Sequence, residues 1–245
     1  STPRCDFLFV GFTMDVSQRI KSDLDFKLSA DTERKVQDVT DYVKRFQATT
    51  EPEKSFCTQQ FTRAMAVKYV YNSNIGERIG SQTQEDTKEI IDRLLTEESN
   101  GTEEHITKEQ KETQNTYFGL KQMHGLSDDM DHTGLLTVQV ICDVHKTLMN
   151  GLTDSEKCGK VRNSEVYTYW GNGVHYYPPP EVVKKLFYWA IDRHNVNIYM
   201  DSTGNMKIEE KVPYIFKCAA WLLFTFVDLH PFVDGNGRLC RLLAN

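Results

Sequence analysis

HPFVDGNGRLCRLLAN, His230 to Asn245, reads as two helical segments that meet at a loop with almost no side-chain bulk, a composition answering to chemistry more than to packing. Upstream of it, Pro213 to Leu229 is nearly all apolar, the pattern of a helix buried on every side. Pro231 disfavours helical geometry at the residue before it, which puts the His230 imidazole at the exit of that helix. Gly235 and Gly237 let the backbone turn sharply and come close to a ligand, and Asn236 between them tolerates left-handed geometry. With a helix starting near Gly237, its unpaired N–H groups make an anion site. Arg238 and Arg241, with Asn245 beyond them, line up one polar stripe that begins at those groups, while Leu239, Leu242 and Leu243 take the other side. Two guanidinium forks beside an amide nest suit adjacent phosphates. Asp234 is a hard oxygen donor of the kind Mg²⁺ accepts when it also holds substrate phosphates, and His230 is a base. Singly these features are a cap, a turn and a solvated face; together, in so short a stretch, they point to a nucleotide.

Working outward, 245 residues can bury one large core or two modest ones. The apolar fraction of 39% and charged fraction of 26% are those of a soluble globular protein. A formal charge of -6 with no basic run argues against nucleic acid as a partner. The six cysteines, at 5, 57, 142, 158, 218 and 240, form no CxxC pair and no metal-ligand spacing, which favours a reducing, cytoplasmic compartment. Lys217 and Asp228 interrupt the apolar helix, and it is shorter than the roughly 20 residues a membrane span needs, so it reads as core. With no initial methionine and a stop inside a helical pattern, the sequence is expected to be a fragment.

Helical periodicity runs over Asp31 to Gln47, with Asp31 as N-cap and Val36, Val39, Tyr42, Val43 and Phe46 facing inward. It returns over Lys54 to Tyr71, Thr83 to Leu95, Thr107 to Met123, Leu135 to Leu148 and Pro180 to His194, the last followed by a loop to Gly204. FLFVGF, Phe7 to Phe12, is a strand or a segment docked on the core. The glycosylation tripeptide Asn100-Gly101-Thr102 reads as a chance occurrence in a loop, and His145 as a core or cap histidine. Between Gly159 and Pro180 the helical period fails. There Glu165 to Trp170 alternates as a short strand and Gly171-Asn172-Gly173 reads as a hairpin turn, with most of the nearby aromatics expected to pack beneath it.

HPFVDGNGRLCR resembles the signature of the Fic family, H-P-F-x-D/E-G-N-G-R-x-x-R, with every defining position filled. ETQNTYFGL (Glu112 to Leu120), VHKTLMNGL (Val144 to Leu152), GKVR (Gly159 to Arg162) and GNGVHYYPPPEV (Gly171 to Val182) are similar to the family's earlier core elements in order, so the resemblance spans Asn72 to Asn245. It implies a mainly α, Fic-type helical domain with a short β-hairpin flap over residues 71–245, behind an N-terminal helical extension of residues 1–70. The implied activity is protein adenylyltransferase: AMP passes from ATP to a Ser, Thr or Tyr hydroxyl in a flexible loop of a target protein. By resemblance His230 is the base and Asp234 the Mg²⁺ ligand. Gly235, Asn236 and Gly237 cradle the α-phosphate, Arg238 and Arg241 hold the β- and γ-phosphates, and Asn245 completes the nucleotide set. Tyr167, Thr168, Tyr169, Trp170, Val174 and His175 form the flap that pairs with the target backbone. Phosphate-transferring relatives have lysine where Gly237 stands. A homodimer is a further expectation.

Ser73 and Glu77 are similar to the S/T-x-x-x-E-G/N pattern of the family's inhibitory helix, which implies that Glu77 pairs with Arg241 and blocks the γ-phosphate position. Arg78 departs from that pattern, and either offers Glu77 a competing partner or points to solvent. Two alternatives stay open: Glu77 aligns a water that removes AMP again, or the chain is a catalytically silent module that presents its flap.

Overall fold

The computed structural model describes residues 27–97, 106–129, 135–170, 173–203 and 206–244; Phe7–Phe12, Asn100–Thr102 and Asn245 lie outside them. Eight helices and one hairpin follow in order among these residues: α1 (Ala30–Gln47), α2 (Glu51–Glu77), α3 (Gln84–Glu97), α4 (Lys108–Asp129), α5 (Val138–Met149), β1 (Tyr167–Trp170), β2 (Gly173–Tyr176), α6 (Pro180–Thr203), α7 (Ile208–Leu229) and α8 (Asn236–Ala244). The mainly helical class with a single hairpin is as expected.

Local chemistry sets most helix starts. Ser29, rather than Asp31, caps α1 by accepting the Thr32 N–H at 3.2 Å. Asp31 sits inside the first turn, paired with Arg34 and Lys35 at 2.8 and 2.7 Å. Thr107 and Gln110 form a reciprocal capping box that opens α4, and the Thr137 hydroxyl caps α5.

Helix ends were less legible. The segment Tyr71–Gly80 is not a separate element, because α2 runs unbroken through Ser73 to Glu77. Likewise α6 continues past His194 to Thr203. Of the polar residues that suggested a loop there, Asn195 has a tertiary partner: it accepts the Leu136 N–H at 2.9 Å and donates to the Leu136 carbonyl at 2.7 Å.

The short helix α8 lies at the centre and packs on α2, α4, α5 and α7. Leu239, Cys240, Leu242 and Leu243 are buried in the core it shares with Leu148, Met149, Phe187 and Phe226. Phe232, from the loop before α8, meets Phe187 edge-on at 6.0 Å and is fully buried, so the loop is nailed to the core by its one large side chain. The expectation of a helix buried all round fails for α7. It packs on α1, α6 and α8, but Ile215, Phe216, Leu223, Phe224 and Val227 are exposed. By length and composition α7 could cross a membrane; here it serves as a one-sided packing surface. α1 buries only Val36 and Thr40, leaving Val39 and Tyr42 exposed.

Candidate active site

α7 ends at Leu229, and His230 turns out of it in the left-handed region, φ 48° and ψ 60°. The ring stacks on Tyr177 with centroids 4.0 Å apart, and its Nδ1 is buried without a hydrogen bond. Burial holds the imidazole below its usual pKa; the Val227 backbone opposes this, Arg162 adds to it, and Asp234 and Glu77 oppose it more weakly. A helix C-terminus by itself favours a charged imidazole. Desolvation decides the balance, and the cation that helps is Arg162 rather than Arg238 or Arg241.

The loop that follows is held from within. Asn236 accepts the Phe232 N–H at 3.0 Å and donates to the Phe232 carbonyl at 2.8 Å. It is therefore a buried brace that begins α8, not a left-handed turn residue. Gly235 takes the positive φ, 76°, and a side chain there would strike the Met149 sulfur at 2.7 Å. His145 supports the loop from below. Its Nδ1 accepts the Gly159 N–H at 2.8 Å, which leaves Nε2 to donate to the Asp234 carbonyl at 2.9 Å, and its ring stacks on Phe232 at 3.9 Å. Burial lowers its pKa to about 4.

The first bond within α8 runs from the Leu239 N–H to the Gly235 carbonyl at 3.0 Å. The N–H groups of Asn236, Gly237 and Arg238 thus have no partner inside the helix. Arg238, expected on a polar stripe, is buried: Nη2 lies 3.4 Å from the Met149 sulfur and Nη1 is buried without a partner. A desolvated guanidinium with a free donor beside a helix N-terminus is chemistry suited to an anion. Asp234 is exposed, and its Oδ1 accepts the Gly235 N–H at 2.6 Å. Among the described residues no group of three acidic, histidine or cysteine side chains could hold a metal. A cation here would rest on Asp234 and on ligand oxygens, which suits Mg²⁺ with a nucleotide.

Arg241 is already paired. Its Nη2 donates to Glu77 Oε1 at 2.6 Å and to the Ser73 carbonyl at 3.0 Å, and its Nε donates to the Ser73 hydroxyl at 3.2 Å. The Glu77 carboxylate also lies over Gly237, where a side chain would collide with it. One acidic group therefore faces both the second arginine and the start of α8. The end of α2 that carries it is stapled to α4. Asn74 accepts the Thr116 hydroxyl at 2.8 Å, Glu112 accepts the Gly80 N–H at 2.7 Å, and Thr113 accepts the Ser81 N–H at 3.0 Å. Arg78 closes α2 in the left-handed region and is exposed.

The hairpin pairs Tyr167 with Tyr176, Thr168 with His175, Tyr169 with Val174 and Trp170 with Gly173. Tyr167, Tyr169, Val174 and Tyr176 are exposed, against the expectation that most aromatics pack beneath it; Tyr177, just past β2, is the one that reaches His230. Asn245 falls outside the described residues. Sequence reasoning did not assign roles to Arg162, Tyr177 or Glu112, and it read His145 only as a core or cap histidine. Their partners are backbone carbonyls, N–H groups and rings far along the chain, which leave no local pattern.

Residues 135–245 match the family described as Fic/DOC. A Fido-domain-containing protein of Dictyostelium discoideum is 35% identical over 97 residues, 40% of this chain and 57% of that protein. A protein named protein adenylyltransferase Fic, from Drosophila persimilis, is 23% identical over 198 residues, 79% of this chain and 33% of its own length. The chain thus spans between a third and under two thirds of these relatives. In three dimensions it is similar to a Fic-domain-containing signaling protein of Bacteroides thetaiotaomicron, with a TM-score of 0.62 at 23% identity, covering 87% of this chain and 70% of that one. Fic-1 of C. elegans superposes with a TM-score of 0.61 at 20% identity over 96% and 59% of the two chains. These likenesses show the fold.

Proposed function

We propose that the chain carries a Fic/DOC domain acting as a protein adenylyltransferase, moving AMP from ATP to a protein hydroxyl, and that Glu77 restrains it. The observation that carries the reading is the buried, half-satisfied Arg238 beside the open N-terminus of α8, one turn of chain from an imidazole kept neutral by burial. Distant relatives named protein adenylyltransferase support the substrate.

The hydroxyl oxygen bonds to the α-phosphorus as the bond to the β-bridging oxygen breaks, and pyrophosphate leaves. His230 takes the hydroxyl proton on Nε2, since Nδ1 is buried; such general bases are typically worth 10²–10⁴ in rate. The N–H groups at the start of α8 meet charge building on the α-phosphate. Arg238 donates to the β-phosphate, and Arg241, once free of Glu77, to the γ-phosphate. Mg²⁺, held by Asp234 and phosphate oxygens, would neutralise charge on the triphosphate. The target segment adds to the exposed edge of the hairpin by main-chain hydrogen bonds, which sets register without requiring a particular sequence.

Glu77 competes with phosphate for the Arg241 fork, a charge-assisted contact at 2.6 Å. Arg241 and Glu77 keep 31% and 37% of their side-chain surface exposed, so the pair can open without unpacking the core. The same exposed carboxylate over Gly237 favours a second reading, in which Glu77 aligns a water that removes AMP.

Labelled ATP tests the first reading, and release of label from a pre-modified protein tests the second. Glu77→Gly should raise labelling of itself or of extract proteins, and a 100-fold rise corresponds to about 2.7 kcal/mol of preference for the blocked state. His230→Ala in that background should abolish labelling while leaving the fold intact. Labelling at the parent rate after His230→Ala sinks the base assignment, and unchanged labelling after Glu77→Gly sinks the restraint.

A further inference from the structure

Arg162 is 4% exposed, yet its partners are carbonyl oxygens rather than a carboxylate. Its Nε donates to the His230 carbonyl at 2.7 Å and its Nη2 reaches the Leu229 carbonyl at 3.5 Å. Nη2 also donates to Pro178 at 2.5 Å, and Nη1 to Ser164 at 2.8 Å. Its own N–H donates to the Pro231 carbonyl at 2.9 Å. Three consecutive carbonyls at the exit of α7 and one carbonyl at each foot of the hairpin thus converge on one residue.

The exit of α7 needs such a partner. The last carbonyls of a helix are unpaired and carry partial negative charge, so a guanidinium there is favourable. The following residue, His230, stands in the left-handed region, where a residue with a Cβ resists staying unless its surroundings hold it. A planar fork with five donors can bind several carbonyls at once, and a lysine ammonium on a flexible stem cannot reproduce that geometry.

We infer that Arg162 is a positioning residue, fixing His230 in the left-handed turn that aims its ring into the site and tying that turn to both feet of the flap. This rests on the reading of His230 as the base. The groups facing the ring are Tyr177 from the foot of β2, Arg162 itself, Asp234 from the loop before α8 and Glu77 from α2. Arg162 is the cation among them, so two functions can be separated by substitution: Lys keeps charge and loses the fork, Gln loses both.

The test uses the Glu77→Gly chain as parent, with melting temperature measured for every variant. Arg162→Lys and Arg162→Gln should each lower kcat for AMP transfer about 100-fold, the cost typical of a small misplacement of a reacting group, with KM for ATP within about twofold of the parent. The acid limb of the pH profile should move up in both variants, and further in Arg162→Gln, which loses the cation as well as the ring's burial. Histidine NMR supplies a readout free of activity: the His230 ring should lose the ring-current shift from Tyr177 in both variants, and its titration midpoint should rise in both as the ring loses burial, further in Arg162→Gln, which also loses the cation. Values of kcat within twofold of the parent, or an unmoved His230 resonance in both variants, would overturn the inference. A parent that binds ATP but transfers no AMP counts against the proposed reaction instead, and the NMR arm then judges Arg162 alone.

Discussion

Replacing Arg78 with glycine should stabilise the protein and silence it further. Arg78 closes α2 at φ 58° and ψ 40°, with its N–H on the Ile75 carbonyl and the Ile79 N–H on the Asn74 carbonyl, both at 3.1 Å. That pair of bonds is a Schellman motif, whose left-handed residue is ordinarily glycine or asparagine. The structure thus gives a physical reason for the Gly or Asn of the inhibitory pattern, and shows that Arg78 fills the position in spite of its Cβ. Holding an L-residue there costs roughly 1–2 kcal/mol. Glycine would lower the other side of the balance by enlarging the unfolded ensemble, about 0.5–1 kcal/mol. The net gain is about 1 kcal/mol, or 2–4 °C in melting temperature for a chain of roughly this size.

Because Glu77 is the residue immediately before Arg78, the same gain should tighten its hold on Arg241. If all of it acts on opening of that end, AMP transfer falls about fivefold, the factor equivalent to 1 kcal/mol. Thermal unfolding and labelled-ATP transfer, run on Arg78→Gly, Glu77→Gly and the double variant, check both parts. Arg78→Asn should raise the melting temperature as well. A lower melting temperature in Arg78→Gly refutes the strain argument, and an equal fall in transfer when Glu77 is already glycine refutes its route through Glu77.

Two further outcomes follow from buried groups. His145 has its pKa lowered from 6.5 to about 4, so the unfolded chain takes up the proton first as pH falls. Its contribution is complete above pH 6.5 and is lost progressively down to about 4, roughly 3 kcal/mol in all; a pH series of denaturant midpoints should show this slope, and His145→Gln should reduce it to the part that His194, also buried with a pKa of about 4, contributes. Arg238→Met exchanges a buried cation with an unmet donor for an apolar side chain beside Met149. It should melt at the parent temperature or higher while losing any rise in melting temperature induced by ATP, and a drop of several degrees would show that the guanidinium is structural.

The sequence alone determined the helical class, the hairpin and the place of the reactive loop. Those rest on information that lies within a few residues: periodicity, Pro231 after His230, and glycine where the backbone must turn. Helix starts were read to within a few residues from periodicity, and the structure adds their caps, Thr107 and Thr137, each bonded to an N–H three positions on. Helix ends were misjudged where a polar residue finds its partner far along the chain, as Asn195 of α6 does at Leu136. The apolar pattern of α7 could not say that one of its faces stays exposed, since burial is a property of neighbours. Tertiary structure also decided which residues support the site. Arg162 and His145 bond to main-chain groups, which every residue possesses, so no side-chain pattern marks the partner. The pairing of Glu77 with Arg241 joins residues 164 positions apart; only the packing of α2 against α8 brings carboxylate and guanidinium within a hydrogen bond and sets them against the same glycine.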